Sequence, residues 1–522
     1  MRHVVCVVVT VAAVGCAAKA RPVAPPKAVT IDLAAADALF DAGCYVCLKQ
    51  AYEEYDRGLN SVQPPAHARE KTFVSALLLA VRHKEIGLDA IPWLERARAL
   101  STPDERLFVE IAESLAWTSA GIAPDFEPPT RPSSSTRDDW RALLDPSPQS
   151  ATVPAPLETS HYGVLKQYLL VTLRCTTGLQ RIDEEADRRI DLGRPILRYR
   201  VGLCGLSHRP HLEAVLASDP RFVEASFFVG RYEMASGVSR LGAPRPSRAW
   251  LTTAVAPLLA AHQGLPEAPV VSIVFAGLMR SRGELNRALA LYDEALVLRP
   301  AQREALLGRT VTLTYLSRPD DAISTATRMI ELGTWHLGAA HYWRAFNYYR
   351  SSRLEAARSD IAEAERLQFD ADVLTLSGII AYDQKRPVDA RARFNVALQL
   401  DRERCPAHWY LGMLGLDEEA WPAVVSSLST AGACYQRSAD AIRTEAGRLP
   451  PDLPDEARQQ QLASYEDSIA TSLRQAGRSF FNAAQASIRI GDKVAALAYA
   501  RSAASYPEMK ERAESLVQDL ER

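Results

Sequence analysis

The sequence has no excess of charge of either sign and no long apolar run after its first residues. Its 522 residues carry a formal net charge of only -2, so it lacks the basic surface with which proteins neutralise nucleic-acid phosphates. No apolar stretch after Val14 is long enough to cross a bilayer, which takes about 20 residues of helix. We therefore expect no nucleic-acid partner and no membrane-spanning helix in the body of the protein.

The motifs of common enzymes are also missing. There is no GxSxG elbow, no HExxH pair and no phosphate-binding GxxxxGK[ST] loop. The 10 histidines are scattered, and the neighbouring His208 and His211 lie in a proline-containing loop, SHRPH, which favours a surface position over a metal ligand. Adjacent carboxylates such as Glu53 and Glu54 do not face each other on a helix, which is typical of a solvated surface. We expect no catalytic residue, no metal site and no cofactor.

What the sequence does contain is a helical pattern, seen most clearly from Val270 to Pro300. Apolar and small residues recur at helical spacing in two runs, VVSIVFAGLM and NRALALYDEALVL, which Gly283 separates. Counted from Pro269, the small residue Ala288 stands at position 20 and the aromatic residue Tyr292 at position 24. This stretch predicts two helices joined by a tight turn.

The same pattern recurs further along the chain. Position 20 returns at Ala322, Ala357, Ala390 and Val424, with steps of 34, 35, 33 and 34 residues. A last copy at Ala496 lies 72 residues after Val424, which leaves 38 inserted residues beyond one repeat of 34. The pattern resembles the tetratricopeptide repeat (TPR), in which small residues allow the two helices of each hairpin to pack closely. The resemblance implies an all-α protein, an α-solenoid of such hairpins with an irregular helical N-terminal part.

The first residues have the pattern of an export signal. A basic start, an apolar run from Val4 to Val14 and Gly15 directly before Cys16 resemble a bacterial lipoprotein signal. The resemblance implies that Cys16 is acylated and becomes the mature N-terminus, and that Ala17 directs the protein to the outer membrane, facing the periplasm. The alternative is an ordinary signal cut a few residues further on, which would give a periplasmic or secreted protein.

Composition divides the chain into segments. We predict a signal peptide at 1–16, a tether at 17–30, divergent helical hairpins at 31–120, a Pro/Ser-rich linker at 121–157, an irregular helical region with one divergent repeat at 158–264, and a TPR array at 265–522 with an inserted helix near 439–476. The tether and the linker are rich in proline and poor in large apolar residues, which is typical of segments without a packed core. The enlarged turn VSRLGAPRPS predicts a short projecting extension.

The chain has only eight cysteines, and six of them lie beyond the first 16 residues. An even number in an exported chain favours disulfides, and the six candidates are Cys44, Cys47, Cys175, Cys204, Cys405 and Cys434. Cys405 and Cys434 stand at the neighbouring ends of one antiparallel hairpin, so we predict a bridge between them. Cys44 and Cys47 have the spacing of a redox dithiol, but no thioredoxin-like pattern surrounds them, which favours a structural disulfide.

The remaining candidate site is the inner face of the repeats. In TPR arrays the first helix of each hairpin lines a concave groove, and by resemblance this groove contains Tyr342, Phe346, Tyr349, Tyr382, Trp409, Met413 and Phe481. These residues predict an apolar, aromatic groove for a protein or peptide partner. The function expected is a membrane-anchored scaffold or adaptor in envelope assembly or secretion.

Two alternatives to an open binding groove stay open at this stage. In the first, the inserted segment fills the groove, and the aromatic residues are core, as large aromatic side chains usually are. In the second, the Cys44 and Cys47 pair serves a thiol–disulfide enzyme that uses the repeats as a substrate holder.

Overall fold

The computed structural model describes residues 32–115, 136, 160–176, 190–236, 249–333 and 336–522. Regular structure in these ranges is helical throughout, so the predicted all-α fold is confirmed. The signal peptide with Cys16, the tether, nearly all of the linker and the VSRLGAPRPS turn lie outside the described residues. Of the described helices, none combines the length and the apolar character needed to cross a membrane.

Eleven described helices precede the regular array. They are α1 (Ala34–Ala42), α2 (Tyr45–Leu59), α3 (Ala68–Glu85), α4 (Ile91–Leu100), α5 (Arg106–Ser114), α6 (Ser160–Thr176), α7 (Pro195–Gly202), α8 (Arg209–Ser218), α9 (Val223–Ser236), α10 (Trp250–Thr253) and α11 (Val255–Gly264). Successive helices from α1 to α4 pack against each other, and α6 packs on α3. Helices from both sides of the linker therefore share one core.

The helix α3 lies at the centre of that core. Every residue from 73 to 81 is buried, as expected for the stretch FVSALLLAV, which presents apolar or small side chains on all sides of the helix. The surrounding apolar cluster extends from Leu33 to Ala305. The irregular N-terminal part and the first regular hairpin are thus packed together rather than separated by solvent.

The array follows as hairpins of two helices each. They are α12 (Pro269–Ser281) with α13 (Leu285–Leu298), α14 (Arg303–Tyr315) with α15 (Pro319–Glu331), α16 (Leu337–Arg350) with α17 (Leu354–Leu367), α18 (Ala371–Asp383) with α19 (Pro387–Leu400), α20 (Cys405–Asp417) with α21 (Trp421–Ala446), and α22 (Asp455–Arg489) with α23 (Lys493–Ala504). A polar helix, α24 (Lys510–Glu521), covers the end of the array, as a solenoid end requires.

The turn inside each hairpin shows the repeat in the backbone itself. One residue per turn has a left-handed conformation, with φ between 55° and 82°, at Gly283, Ser317, Ser352, Lys385, Glu419 and Gly491. Their spacings by subtraction are 34, 35, 33, 34 and 72 residues, the same steps that position 20 takes. Glycine adopts this conformation without strain, and the four other residues adopt it because the helices on both sides hold the turn.

Small residues hold the two helices of each hairpin close together. Ala288, Ala322, Ala357, Ala390, Val424 and Ala496, all at position 20, have no exposed surface. At Gly378 a Cβ would lie 2.5 Å from the ring of Phe394, which is fully buried. The TPR-type packing predicted from the sequence is confirmed by this arrangement.

The inserted residues, for which we predict a helix near 439–476 that leads into the last repeat, form no element of their own. They lengthen two existing helices, so that α21 has 26 residues and α22 has 35, against 14 in α19 and 13 in α18. The reason is the placement of the helix breakers. Gly447, Pro450 and Pro451 interrupt the chain once, and no proline or unfavourable run interrupts the helix between Asp455 and Arg489.

Candidate binding face

Aromatic side chains from two neighbouring first helices meet on one face of the array. On α16 the ring centroid of Trp343 lies 5.3 Å from that of Tyr342 and 5.9 Å from that of Phe346. Tyr315 of α14 adds an edge contact to Trp343 at 6.3 Å and is 59% exposed. Aromatic pairs at these distances and tilts attract each other through their quadrupoles. The result is a preorganised apolar surface that still reaches solvent.

A second group of tyrosines continues this surface toward the C-terminus. The hydroxyl of Tyr349 donates to Asp383 Oδ2 at 2.9 Å, and the Tyr382 ring meets that of Tyr410 at 5.1 Å. Burial, together with the hydrogen bond to Asp383, raises the pKa of Tyr349 above its ordinary value. Burial likewise raises the pKa of Tyr342 to about 12. Both phenols are neutral at physiological pH. The Tyr342 hydroxyl can donate a hydrogen bond to a partner, whereas the Tyr349 hydroxyl already donates its proton to Asp383.

We name the combined surface the aromatic face. It comprises Tyr315, Tyr342, Trp343, Phe346, Tyr349 and Tyr382, all of which are half-buried or exposed. Two cations border it, with Arg350 6.0 Å from the centre of the Phe346 ring and Lys385 5.9 Å from that of Tyr382. Half-buried aromatic rings beside cations are the side-chain types that anchor protein partners most strongly.

Sequence reasoning missed two members of this face. Trp343 and Tyr315 stand one position beyond those that line the groove in TPR proteins. Repeat positions taken from that family therefore do not include them. A signal was nevertheless present, because the segment HYWRAFNYYR carries five aromatic residues in a single helix. Such density on a half-exposed helix is itself unusual for an ordinary surface.

The predicted residues nearer the C-terminus lie elsewhere. Trp409 is half-buried and packs with Val424 and Leu428 of its own hairpin and with Ala483 of α22. Phe481 is 6% exposed and belongs to the core of the last hairpin, with the Arg512 guanidinium over its ring. Phe481 therefore does not line an accessible groove, because its ring is covered by its own hairpin and by α24. Met413 is half-buried, and we assign it no contact with the aromatic face.

The lengthened helix α22 does not fill the face. Its first turns approach the array at the hairpin turns, where Gln460, Gln461 and Ser464 border a cavity of about 440 Å³. Arg280 and the exposed Tyr315 line the opposite side of that cavity. The aromatic face is thus bordered by α22 at one end and remains open along α16.

All six predicted cysteines are paired in the structure. The bridges join Cys44 to Cys47, Cys175 to Cys204 and Cys405 to Cys434, with Cα–Cα distances of 4.9, 5.0 and 5.4 Å. Each distance lies within the range that a disulfide spans without moving the backbone. The pairing in purified protein stays a prediction, and mapping of unreduced peptides measures it.

The Cys44 and Cys47 pair sits deep in the N-terminal core. Cys44 caps the start of α2, where its sulfur accepts from the backbone N–H of Cys47 at 3.1 Å. The two residues are 0% and 1% exposed. A thiol–disulfide enzyme needs a sulfur that its substrate can reach, and this pair has none. Its position is that of a structural disulfide.

A smaller cleft lies where the N-terminal core meets the first hairpin of the array. At its floor, His83 Nε2 accepts from the Tyr45 hydroxyl at 2.9 Å and from Trp93 Nε1 at 2.8 Å. His83 Nδ1 then donates to the Asp89 carbonyl at 2.7 Å. Burial lowers the pKa of His83 to about 4, so the ring is neutral at pH 7. Because both ring nitrogens are satisfied within the protein, this histidine holds the cleft floor in place.

The fold and this face together define a class of protein: an α-solenoid of TPR-type hairpins that carries an aromatic surface on its first helices. No protein-family model matches the chain, and no curated protein matches it in sequence. Several solved structures resemble parts of it. The assignment of the repeat type rests on the chain's own period and turns, because the TM-scores of these likenesses are low.

Three of these structures illustrate the range. PilF of Pseudomonas aeruginosa is 17% identical and covers 49% of this chain and 98% of its own, with a TM-score of 0.35. YrrB, described as a TPR protein with an unusual peptide-binding site, is 21% identical and covers 34% of this chain and 91% of its own, with a TM-score of 0.30. Yeast Tom70 is 11% identical and covers 93% of this chain and 95% of its own, with a TM-score of 0.32.

Proposed function

We propose that this protein is a membrane-anchored scaffold of the bacterial envelope that binds a protein or peptide partner on its aromatic face. One observation carries the proposal. Four aromatic residues on first helices, Tyr315, Tyr342, Trp343 and Phe346, are held in fixed mutual contact yet keep part of their surface exposed to solvent. A side chain needed only for the core would be fully covered, as Phe394 is. Exposed, prearranged aromatic rings bind with little loss of side-chain entropy.

The localisation of the protein in the cell envelope is part of the same proposal. The motif around Cys16 supports a lipid anchor, and three cysteine pairs support an oxidising compartment. Labelled palmitate should enter the wild-type protein and be absent from Cys16→Ser. Label retained in the variant, or a mature N-terminus other than Cys16, would show that the anchor is misassigned.

Two substitutions test binding on the aromatic face. One removes a tryptophan of the face, and the other removes a tryptophan that packs in a hairpin core. A pull-down from envelope extracts first supplies the partner, and its affinity is then measured by calorimetry. Trp343→Ala should weaken binding by about 2 kcal/mol, roughly thirtyfold in Kd, with little change in Tm. Trp409→Ala is the matched control, because its ring packs against Val424 and Leu428 rather than on the face.

The control variant separates binding from stability. Trp409→Ala should lower Tm while the remaining folded protein keeps its affinity, since the large loss comes from a cavity in the hairpin core. If Trp343→Ala leaves the affinity unchanged, the aromatic face is not the docking site. If it lowers Tm as strongly as Trp409→Ala does, its ring is a core residue and the proposed surface is withdrawn.

A further inference from the structure

The lengthened parts of α21 and α22 form an antiparallel extension, residues 435–476, that leaves the end of the array and returns to its beginning. The part of α22 before its own repeat, residues 455–476, spans about 33 Å at 1.5 Å per helical residue. The two long helices pack against each other along the extension, and Ala439 is fully buried. The extension is therefore a stiff element rather than a loop.

The tip of the extension is held on the first hairpin by a buried cation. Arg282 is 3% exposed, and its Nη1 donates to the Leu251 carbonyl at 2.6 Å. The Asp452 carboxylate of the tip lies 3.2 Å from the same guanidinium and also accepts from the Thr252 hydroxyl at 2.8 Å. Glu284 completes the environment of Arg282 at 2.6 Å. Charge-assisted contacts around a desolvated guanidinium are among the stronger polar contacts available to a protein.

Apolar and close-packed contacts reinforce this attachment. Leu453 is 4% exposed although it lies in the turn between two helices. Further along, a Cβ added at Gly283 would overlap the side-chain amide of Gln461. The first hairpin turn and the tip of the extension are thus fitted to each other, which a chance approach of two surfaces would not require.

Between its two attachments the α22 part of the extension lies at the surface of the protein. Residues 462–471, all of which the structure describes, include no buried side chain. In a solenoid each repeat ordinarily contacts only its neighbours, so the ends are free to move relative to each other. Here a contact joins residues 170 positions apart, Arg282 and Asp452. The array is consequently closed from its last repeat back to its first.

We infer that residues 435–476 act as a strap that ties the last repeat to the first and holds the array at one curvature. The Arg282–Asp452 contact is the latch of this strap. Because the aromatic face lies on the repeats between the two attachments, the strap keeps its rings in one arrangement before any partner arrives. Release of the latch would let the array open, and this conclusion does not depend on what the face binds.

Hydrogen exchange and small-angle scattering on the full chain test the strap. Asp452→Ala should make the amides of residues 449–462 exchange roughly tenfold faster or more, because the carboxylate is the charged partner of the latch. The turn 281–285 should lose protection in the same variant. Asp440→Ala is the matched control, since that carboxylate lies on the strap and accepts from Gln436 and Arg443 of its own helix.

The curvature itself is read from the scattering profile. Asp452→Ala combined with Leu453→Ser should enlarge the radius of gyration, while Asp440→Ala should give the wild-type profile. A change in the double variant alone also supports the strap and shows that Leu453 carries much of the attachment. A double variant with wild-type scattering and wild-type exchange at 281–285 overturns the inference.

Discussion

Replacing Glu85 with glutamine should lower the free energy of unfolding of the N-terminal core by roughly 3–5 kcal/mol. Glu85 is 4% exposed and accepts from the Tyr168 hydroxyl at 2.8 Å. Its carboxylate also lies 3.2 Å from Arg200 Nε and 3.7 Å from Arg82 Nε. Both arginines are at most 1% exposed, so water cannot replace the lost charge.

The size of this effect follows from the charge balance of the site. Two buried arginines face two buried glutamates, since Glu224 pairs with Arg82 and has no exposed surface. With an uncharged glutamine in place of Glu85, one cation would remain inside the core without a counter-charge. Removal of one partner from a buried pair is far more damaging than the pair's own net contribution, because the remaining charge keeps its desolvation penalty.

Urea unfolding followed by circular dichroism measures the change, with Glu53→Gln as the control. Glu53 is an exposed acid on α2, and its variant should stay within about 0.5 kcal/mol of the wild type. Combining Glu85→Gln with Arg200→Gln should be less damaging than the sum of the two single variants, because the double variant restores neutrality. A Glu85→Gln protein as stable as the control would mean that the arginines do not depend on this carboxylate.

The regular array could be predicted from the sequence because the interactions that form each hairpin join residues close together in the chain. The small residue at position 20, the breaker at Gly283 and the helical spacing of apolar residues all act within one hairpin of about 34 residues. The structure accordingly places α12 and α13 on either side of Gly283, as expected. The period also places Tyr342, Phe346, Tyr349 and Tyr382 on first helices, because it transfers from one repeat to the next.

The N-terminal network could not be predicted in that way. Arg82 and Glu224 are 142 residues apart, and Arg200 and Glu85 are 115 apart by subtraction. No period connects them, and in the sequence each resembles an ordinary charged residue on the surface of a helix. The latch between Arg282 and Asp452 escaped for the same reason. Pro450 and Pro451 predict the end of a helix, but no nearby residue in the sequence indicates which part of the array the tip of the long hairpin contacts.

Removing the bridge between Cys405 and Cys434 should destabilise the array by about 3.6 kcal/mol on the chain-entropy model. The two cysteines are 29 residues apart and join the start of α20 to α21. The bridge confines the unfolded hairpin at its two neighbouring ends, which lowers the entropy gained on unfolding. It also lies directly before residue 435, so it fastens the base of the strap to the hairpin from which the strap emerges.

The matched control is the bridge between Cys175 and Cys204, which has the same separation of 29 residues. The chain-entropy model gives both bridges the same loss of entropy in the unfolded chain. The bridge between Cys175 and Cys204, however, lies in the N-terminal core, which includes the first hairpin. Hydrogen exchange in increasing urea should therefore show two regional effects. Cys405→Ala with Cys434→Ala should lower protection in α18 to α23, and Cys175→Ala with Cys204→Ala should lower it in α3 to α9.

The region in which hydrogen-exchange protection falls distinguishes an open stack of repeats from a stack that the strap closes. If the array is a stack of nearest neighbours, the loss in the Cys405 and Cys434 variant should fade toward the first hairpin. If the strap closes the stack, protection should also fall at the turn 281–285. The reason is that a more mobile strap base at residue 435 weakens the contact between Arg282 and Asp452. Unchanged protection throughout α18 to α23, or free thiols at both positions in wild-type protein, would contradict the predicted bridge.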